Sequence, residues 1–182
     1  MYPVNEIFYS LQGEGYHTGT AAVFLRFSGC NRQCEFCDTD FSKSTMMSAE
    51  EIVAEISRYP ARTVIVTGGE PLLSLDSALC RALHGAGKYI HVETNGTLPV
   101  PEGVDWVTCS PKEGPWAIDR VDELKVVYQN QDVEQLLERF KPRVAAFLQP
   151  CSCRNTAEVI EYILGHPWWR LSLQTHKLVD FK

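Results

Sequence analysis

Three cysteines lie within eight residues, at Cys30, Cys34 and Cys37, and this spacing constrains the chain more than any other feature. The residues between them are mostly polar, so we expect a loop. Three thiolates so close together can bind three irons of a 4Fe–4S cluster and leave the fourth iron open to a small molecule. Two alternatives remain, namely three core thiols or a zinc site that takes His91 or a distant cysteine as its fourth ligand.

The composition indicates a single globular domain without secretory or membrane features. The chain has 182 residues, of which 45% are hydrophobic, so it should bury roughly 70% of its unfolded surface. An apolar run of about 18 residues and a basic-then-apolar leader are both missing, so we expect a cytoplasmic protein. The net charge is -6 and the sequence has no Lys/Arg cluster, which argues against nucleic acid as a partner. An odd count of seven cysteines favours metal ligands or reduced thiols over disulfides.

Apolar stretches alternate with amphipathic ones, which predicts an α/β fold. The predicted strands are Ala21–Phe27, Thr63–Thr67, Tyr89–Glu93, Val104–Cys109, Leu124–Tyr128, Val144–Gln149 and Arg170–Thr175. Helices are expected from an N-cap at Ser48 to about Tyr59, over Asp76–Gly85 and Asp132–Phe140, and from an N-cap at Asn155 to Gly165. The spacers between the third, fourth and fifth strands are too short for full helices. We expect a partial, open β/α barrel of six to seven mostly parallel strands, with a doubly wound sheet as the alternative.

Reactive residues follow six of the seven predicted strands. They stand in the segments Ser28–Cys30, Thr67–Pro71, Glu93–Gly96, Cys109–Lys112, Gln149–Pro150 and Gln174–Lys177. Because ligands bind at the carboxyl ends of parallel strands, these segments should converge on one site.

The cysteine loop, with the aromatic Phe36 before its last cysteine, resembles the radical S-adenosylmethionine superfamily. Thr67–Pro71 resembles the second signature of that superfamily, a Gly-Gly-Glu-Pro segment that holds the methionine amino group of the cofactor. Within the superfamily, the chain is similar to the 7-carboxy-7-deazaguanine synthases from Leu11 to its C-terminal end. The segments that carry this similarity are Leu11–Gly15, Arg26, Cys37–Thr39, Ser110–Lys112, Gln149–Pro150 and Gln174–Lys177.

The resemblance implies that Cys30, Cys34 and Cys37 hold the cluster, whose open iron chelates S-adenosylmethionine. The residues implied to bind that cofactor are Phe36, Gly69, Glu70, Glu93, Ser110, Pro111, Lys112, Gln149, Pro150, Cys151 and Ser152. Glu70 and Glu93 suit this role because carboxylates accept hydrogen bonds from an ammonium and from ribose hydroxyls. The chain departs from the family after Pro150, where the family often has an acidic residue. We expect Cys109, Cys151 and Cys153 to be buried thiols, with a second cluster as the alternative.

The implied substrate is 6-carboxy-5,6,7,8-tetrahydropterin. The residues implied to bind it are Leu11, Gln12, Gly13, Glu14, Arg26, Thr67, His176 and Lys182, the last through its main-chain carboxylate. Arg26 suits a carboxylate because its planar fork binds two oxygens, and Glu14 suits an aminopyrimidinone edge. Without the family, a surface charge and a solvated turn residue remain as alternatives. The single domain of 1–182 is thus expected to contain a substrate-binding segment (1–20), a cluster loop (28–47) and a substrate tail (174–182).

The implied reaction begins when an electron reaches the cluster and splits the sulfonium, and the resulting 5′-deoxyadenosyl radical takes hydrogen from C6 of the pterin. A ring contraction then loses ammonia, as in a carbon–nitrogen lyase, and leaves 7-carboxy-7-deazaguanine, a queuosine precursor. Thr39 stands at the family's magnesium position, and the Mg²⁺ ion would also take a substrate oxygen and waters. Asp38 would bind such a water or cap the loop. Implied partners are a second copy in a homodimer and a flavodoxin-type electron donor. Arg32 either faces this donor or is simply solvated.

Two other functions share parts of this pattern. A glycyl-radical-enzyme activase has the same cysteine loop and a short chain but acts on a protein glycine. Leu11–Gly15, Thr39 and His176 point instead to a small charged substrate. A zinc-binding structural module without catalysis is the remaining alternative.

Overall fold

The computed structural model describes residues 1–35, 37, 39–40 and 42–182. These residues form a nine-stranded sheet in the order β3-β1-β2-β4-β5-β6-β7-β8-β9. Its strands are β1 (Tyr2–Leu11), β2 (Ala21–Phe27), β3 (Thr45–Met47), β4 (Thr63–Gly68), β5 (Tyr89–Thr94), β6 (Trp106–Cys109), β7 (Glu123–Tyr128), β8 (Ala145–Pro150) and β9 (Arg170–Leu171). Neighbouring strands from β2 to β9 run parallel. The expected open, mostly parallel α/β sheet of a partial barrel is confirmed, although the sheet has nine strands and not six to seven.

Five helices accompany the strands in the described part of the chain. They are α1 (Ala49–Ile56), α2 (Ser77–Gly85), α3 (Val133–Phe140), α4 (Thr156–Gly165) and α5 (Thr175–Val179). Ser48 caps α1 as expected, because its hydroxyl accepts from the Glu51 amide and the Glu51 carboxylate accepts from the Ser48 amide. As the short spacers predicted, the described connections β5–β6 and β6–β7 contain no helix. None of the described helices has both the length and the apolar character needed to cross a membrane.

Two strands were not predicted, β1 and β3, and both lie at the edge of the sheet beside β2. β1 pairs antiparallel with β2, and β3 pairs antiparallel with β1. A register shift between Val4 and Glu6 interrupts β1. The period-two pattern of a half-buried strand is broken there, so the sequence gives only a weak strand signal.

Two local expectations are wrong. The last predicted strand, Arg170–Thr175, pairs with β8 only through β9, and Thr175 begins α5. The ladder gives way to tertiary contacts, since the Thr175 amide donates to the Gly13 carbonyl at 2.9 Å. Asn155 stands at the N-cap of α4, but its side chain does not cap the helix. It instead accepts from the Cys151 amide and donates to the Tyr128 carbonyl.

The core fixes the orientation of the sheet edge that bears the site. Six of the seven parallel strands, β2 and β4 to β8, bury apolar side chains completely, and the same core contains Ile52 and Ile56 of α1 with Leu79 and Leu83 of α2. Burial of each such side chain contributes roughly 1.5–3 kcal/mol. The parallel register aligns Phe27 with Gly68 and Tyr128 with Pro150, so the segments that follow these strands leave the sheet at one edge.

Candidate active site

Two adjoining cavities open at this edge. The first measures about 240 Å³ and is lined by Phe8, Leu11, Gln12, Gly13, Glu14, Phe24, Arg26, Thr39, Ile65, Thr67, Glu93, Gln174, His176 and Lys182. The second measures about 200 Å³ and is lined by Glu14, Cys30, Arg32, Cys34, Cys37, Gly68, Gly69, Asn95, Lys112, Val127, Gln149, Pro150, Cys151, Ser152 and Gln174. We call them the upper cavity and the cysteine cavity. Glu14 and Gln174 line both and therefore form a shared wall.

The three cysteines of the loop all line the cysteine cavity as free thiols. The Cys37 amide donates to the Cys34 carbonyl at 3.1 Å, and the Arg32 amide donates to Cys30 Sγ at 3.4 Å. Burial raises the pKa of the Cys30 thiol, although the Arg32 amide opposes this. Among the described residues, no three His, Cys, Asp or Glu side chains are grouped closely enough to hold one metal ion. Three spaced thiols fit a cluster, in which each binds a different iron, better than a single zinc ion.

The zinc alternative that uses His91 does not fit the geometry. His91 is 1% exposed and does not line the cysteine cavity. Its Nε2 lies 2.8 Å from Thr108 Oγ1, and burial holds the pKa of the ring well below its usual value. The residue is a neutral part of the interior beneath the upper cavity.

Gly68 and Gly69 let the chain after β4 lie directly on the base of the cysteine loop. A Cβ on Gly69 would stand 2.2 Å from the Gly29 carbonyl oxygen, and one on Gly68 would stand 2.3 Å from that of Phe27. Gly68 also has a φ of 147°, which side chains rarely permit. The Glu70 amide donates to the Gly29 carbonyl at 3.0 Å. These contacts join the Gly-Gly-Glu-Pro segment to the cysteine loop.

The Glu70 side chain lies elsewhere than the family resemblance implied. It is 0% exposed and lines neither cavity. Its carboxylate accepts from the Leu72 amide at 3.0 Å, from Thr94 Oγ1 at 2.8 Å and from the Asn95 amide at 2.8 Å. Burial raises the pKa of this carboxyl even so. Glu70 thus connects the end of β5 to the turn Pro71–Leu73, and Gly69 is the residue beside it that reaches the cavity.

Polar side chains brace the outer part of the cysteine loop. Asn95 Nδ2 donates to Asn31 Oδ1 at 2.9 Å, and Asn31 Nδ2 donates to Thr97 Oγ1 at 2.8 Å. Arg32 donates from Nη2 to the Gly114 carbonyl at 3.0 Å. Arg32 therefore ties the loop to the segment after β6 and is not simply solvated. Asn95 lines the cysteine cavity and was not expected there.

The remaining residues implied to bind the cofactor fall into two groups. Lys112, Gln149, Pro150, Cys151 and Ser152 line the cysteine cavity, and Lys112 Nζ donates to Ser110 Oγ at 3.0 Å. Pro111 borders a neighbouring groove instead. Burial lowers the pKa of Lys112. Phe36 and Asp38 lie outside the described residues.

The three cysteines considered for a second cluster differ in environment. Cys109 is fully buried, and a Cβ on Gly96 would stand 2.8 Å from its sulfur. Cys151 and Cys153 are only half-buried, so the expectation of buried thiols is wrong for them. They flank Ser152 in a turn where Ser152 and Cys153 have φ values of 48° and 61°, a left-handed backbone that costs side-chain residues energy.

The upper cavity brings together all eight residues implied to bind the pterin, and Thr39, the implied magnesium position, lines it as well. Arg26 is 20% exposed, and its Nε donates to Glu6 Oε1 at 2.9 Å. The surface-charge alternative therefore does not describe Arg26. Phe8 and Phe24, which the sequence did not single out, stack with ring centroids 4.8 Å apart in the same wall.

The segment Gln12–Gly15 contacts the C-terminal tail through its glycines. A Cβ on Gly13 would stand 2.5 Å from His176 Nδ1. The Thr175 hydroxyl also donates to the Gly13 carbonyl, at 2.8 Å. Gly15 has a φ of 66°, and its amide donates to Ser172 Oγ at 3.0 Å. The segment is thus shaped by the chain that follows β8.

A buried ion network lies beneath the shared wall. Lys125 Nζ, on β7, is 2.7 Å from Glu14 Oε2 and 2.8 Å from Glu93 Oε2. Gln12 Nε2 donates to Glu93 Oε1 at 2.9 Å, and Gln174 Nε2 donates to Glu14 Oε1 at 3.0 Å. Burial alone would raise the pKa of Glu14, but the Lys125 charge and hydrogen bonds from Lys125 and Gln174 lower it to about 2. Glu93 lines the upper cavity and not the cysteine cavity, so its expected cofactor contact is not supported.

The C-terminal tail lies against β1. Lys182 Nζ is 2.6 Å from Glu6 Oε2 and 4.5 Å from the centre of the Phe8 ring. The Ser10 hydroxyl donates to the main-chain oxygen of Lys182, and the Phe181 amide donates to the His176 carbonyl at 3.3 Å. The tail therefore borders the upper cavity, although its sequence alone did not predict order.

Comparison with known proteins agrees with this arrangement. The model of the Radical SAM superfamily matches residues 25–144, more than half of the chain. The chain is 60% identical over 183 residues to a 7-carboxy-7-deazaguanine synthase of Bacteroides thetaiotaomicron, covering 100% of both. It is 42% identical to the enzyme of that name from Bordetella pertussis, covering 98% of both. The structure of QueE from Escherichia coli is similar with a TM-score of 0.83 and 33% identity, covering 96% of this chain and 94% of that one.

Proposed function

The chain belongs to the 7-carboxy-7-deazaguanine synthases of the radical S-adenosylmethionine superfamily. We propose that the upper cavity binds the pterin substrate and that the cysteine cavity binds the cluster and S-adenosylmethionine. The substrate is 6-carboxy-5,6,7,8-tetrahydropterin, and the product is 7-carboxy-7-deazaguanine, formed with loss of ammonia. One observation supports this division above all. The eight residues implied to bind the pterin line one cavity, which shares the Glu14–Gln174 wall with the cavity of the three cysteines.

Cys30, Cys34 and Cys37 would hold the 4Fe–4S cluster that membership of the superfamily implies. When bound, the cluster supplies the electron that cleaves the sulfonium of S-adenosylmethionine. Gly69 lines this cavity and would meet the methionine part of the cofactor, and Lys112 with Ser110 can donate to a carboxylate. Gln149–Ser152 would line the rest of the cofactor. The close contact of Gly68 and Gly69 with the base of the cysteine loop fixes the position of the loop relative to the segment after β4.

The upper cavity would orient the pterin through charge. Nε of Arg26 donates to Glu6, so Nη1 and Nη2 would bind the substrate carboxylate. The ionised Glu14 can accept from the amino and ring N–H groups of the pyrimidinone. Phe8 and Phe24 give the ring an apolar wall, and His176 with the main-chain carboxylate of Lys182 would meet its polar edge.

Thr39 is our candidate for the magnesium ligand. It lines the upper cavity together with Arg26, on the side where the substrate carboxylate would lie. A lone hydroxyl binds Mg²⁺ weakly, so the ion would bind together with the substrate, and waters would complete its octahedron.

We also carry over from the family a homodimer and a flavodoxin-type electron donor. Cys37 is exposed and Cys34 half-buried, which supports a short electron path from the protein surface at the cysteine loop. The free state of all seven cysteines supports a reducing compartment, the cytoplasm.

Anaerobic reconstitution followed by turnover tests this function. The protein should turn brown with iron and sulfide and convert the pterin to the deazapurine, faster with Mg²⁺ than without it. Colourless protein that holds zinc would contradict the cluster. A brown protein that cleaves S-adenosylmethionine but leaves the pterin unchanged would contradict the substrate and favour an activase.

A further inference from the structure

Lys125 is a buried cation beside the site. Its side chain is 5% exposed, and its ammonium contacts two carboxylates, Glu14 at 2.7 Å and Glu93 at 2.8 Å. The two carboxylates come from different elements, the segment after β1 and strand β5, while Lys125 comes from β7. One ammonium therefore links three parts of the chain directly under the upper cavity.

A purely structural role explains this arrangement poorly. The free energy that two charges lose on leaving water is barely offset by their attraction in the interior. Apolar residues of similar size therefore often stabilise a protein as much as a buried ion pair does. Glu14, however, lines both cavities. Among the described residues each of its oxygens has one hydrogen-bond partner, Lys125 for Oε2 and Gln174 for Oε1. Since a carboxylate oxygen can accept two hydrogen bonds, each keeps a lone pair for a ligand.

We propose that Lys125 is a positioning residue of the reaction, which holds Glu14 as an oriented carboxylate for the N–H groups of the pterin. This inference rests on the proposed function and extends it to a residue that does not reach the cavity. Lys125 binds Oε2 of Glu14 from below, Gln174 binds Oε1 from the tail, and the plane of the carboxylate is thereby fixed. The Glu93 contact holds the ammonium itself in place.

The charges around Glu14 explain what loss of Lys125 would do. Facing this region are Glu123 on β7, Glu93 on β5, Lys112 after β6 and His176 on α5, besides Lys125 itself. Without the Lys125 charge, Glu14 and Glu93 stand close together in a desolvated place. Burial then dominates and raises the pKa of Glu14. A protonated Glu14 donates where it should accept, so pterin binding must fall as the pH falls through that raised pKa.

The test compares Lys125→Met with Lys125→Arg in the reconstituted enzyme, using the pterin as substrate. For Lys125→Met we expect the KM for the pterin to rise at least tenfold with a smaller change in kcat. We also expect a new acid limb, in which kcat/KM falls about tenfold per pH unit below a pH that the parent does not show. Cluster content and cofactor cleavage without pterin should match the parent. Lys125→Arg keeps the charge and should keep the parent's pH profile.

A double-mutant cycle separates positioning from a general loss of structure. Glu14→Gln cannot ionise, so adding Lys125→Met to it should change the KM little. Equal effects of Lys125→Met in both backgrounds, or a parent-like pH profile in Lys125→Met, would overturn the inference. An Arg variant that loses pterin affinity as severely as the Met variant would do the same. Absence of turnover in the parent would instead contradict the proposed function.

Discussion

Gly13 and His176 are in direct contact although 163 positions separate them in the sequence. The imidazole lies so close to the Gly13 Cα that no side chain fits at position 13. The carbonyl of Gly13 also accepts both hydrogen bonds from Thr175, the first residue of α5. The beginning and the end of the chain therefore build one wall of the upper cavity together. His176 owes its position to the absence of a side chain on Gly13.

Replacing Gly13 by alanine should move His176 away from the cavity. The new methyl would stand 2.5 Å from Nδ1, so the imidazole must shift. If His176 gives the pterin one hydrogen bond, its loss raises the KM by about fivefold, which corresponds to about 1 kcal/mol. Steady-state kinetics measure this change. Gly85→Ala is the control, since that position has nothing within 4 Å and lies in α2; an equal effect there would contradict the explanation.

Removal of any cysteine of the loop should abolish the cluster. Cys34→Ala leaves only two of the three loop thiols in the cysteine cavity, and we expect iron and sulfide content to fall close to zero. Cys80→Ala is the matched variant, because Cys80 is fully buried against Gly103 in the core. It should keep its cluster and lose roughly 1–2 kcal/mol of unfolding free energy. Full activity of Cys34→Ala would contradict the assignment of the site.

Arg26→Lys should weaken pterin binding much more than cofactor binding. A lysine can keep the contact with Glu6 but cannot bind a carboxylate through two parallel N–H groups. The expected loss is about 1.5–3 kcal/mol for the pterin. Calorimetric titration of each ligand into the reconstituted protein measures it. Arg26 supports the fold instead if both affinities fall equally.

Glu123 should make the protein less stable in weakly alkaline solution. It is 1% exposed, and burial raises its pKa to about 7, although the charge of Lys125 opposes this. The folded state keeps a proton that the unfolded state releases above about pH 4.5, so the free energy of unfolding falls as the pH rises from about 4.5 to about 7 and levels off at higher pH. Glu123→Gln removes this dependence. The variant's free energy of unfolding in urea, relative to that of the parent, should be larger at pH 8 than at pH 5 by up to about 3 kcal/mol. Free energies of unfolding that change with pH in the same way for both proteins would contradict this.

The parallel strands were predictable because they are buried on both faces and read as apolar runs between helix signals. Ala21–Phe27 was predicted with the bounds that the structure has, and the other strands within one or two residues at most ends. The convergence of Cys30, Gly69 and Gln149 at one edge then follows from the direction of the strands alone.

The sequence does not show whether a polar side chain near a strand end points into a cavity or into the protein interior. Glu70 and Glu93 were both expected at the cofactor, yet one is enclosed by backbone amides and the other lines the upper cavity. Lys125 was read only as part of an apolar strand. A lysine among Leu124, Val126 and Val127 is the signal that was available, because a buried ammonium requires carboxylates beside it.

The wall formed by Glu14 and Gln174 has a thermodynamic consequence. In the proposed assignment the pterin and S-adenosylmethionine both contact this pair of side chains, so a shift of either side chain on binding would couple the two affinities. Linkage requires such coupling to be reciprocal: whatever factor the pterin applies to the dissociation constant of S-adenosylmethionine, S-adenosylmethionine applies to that of the pterin. Coupling through this wall would need two side chains and no moving domain.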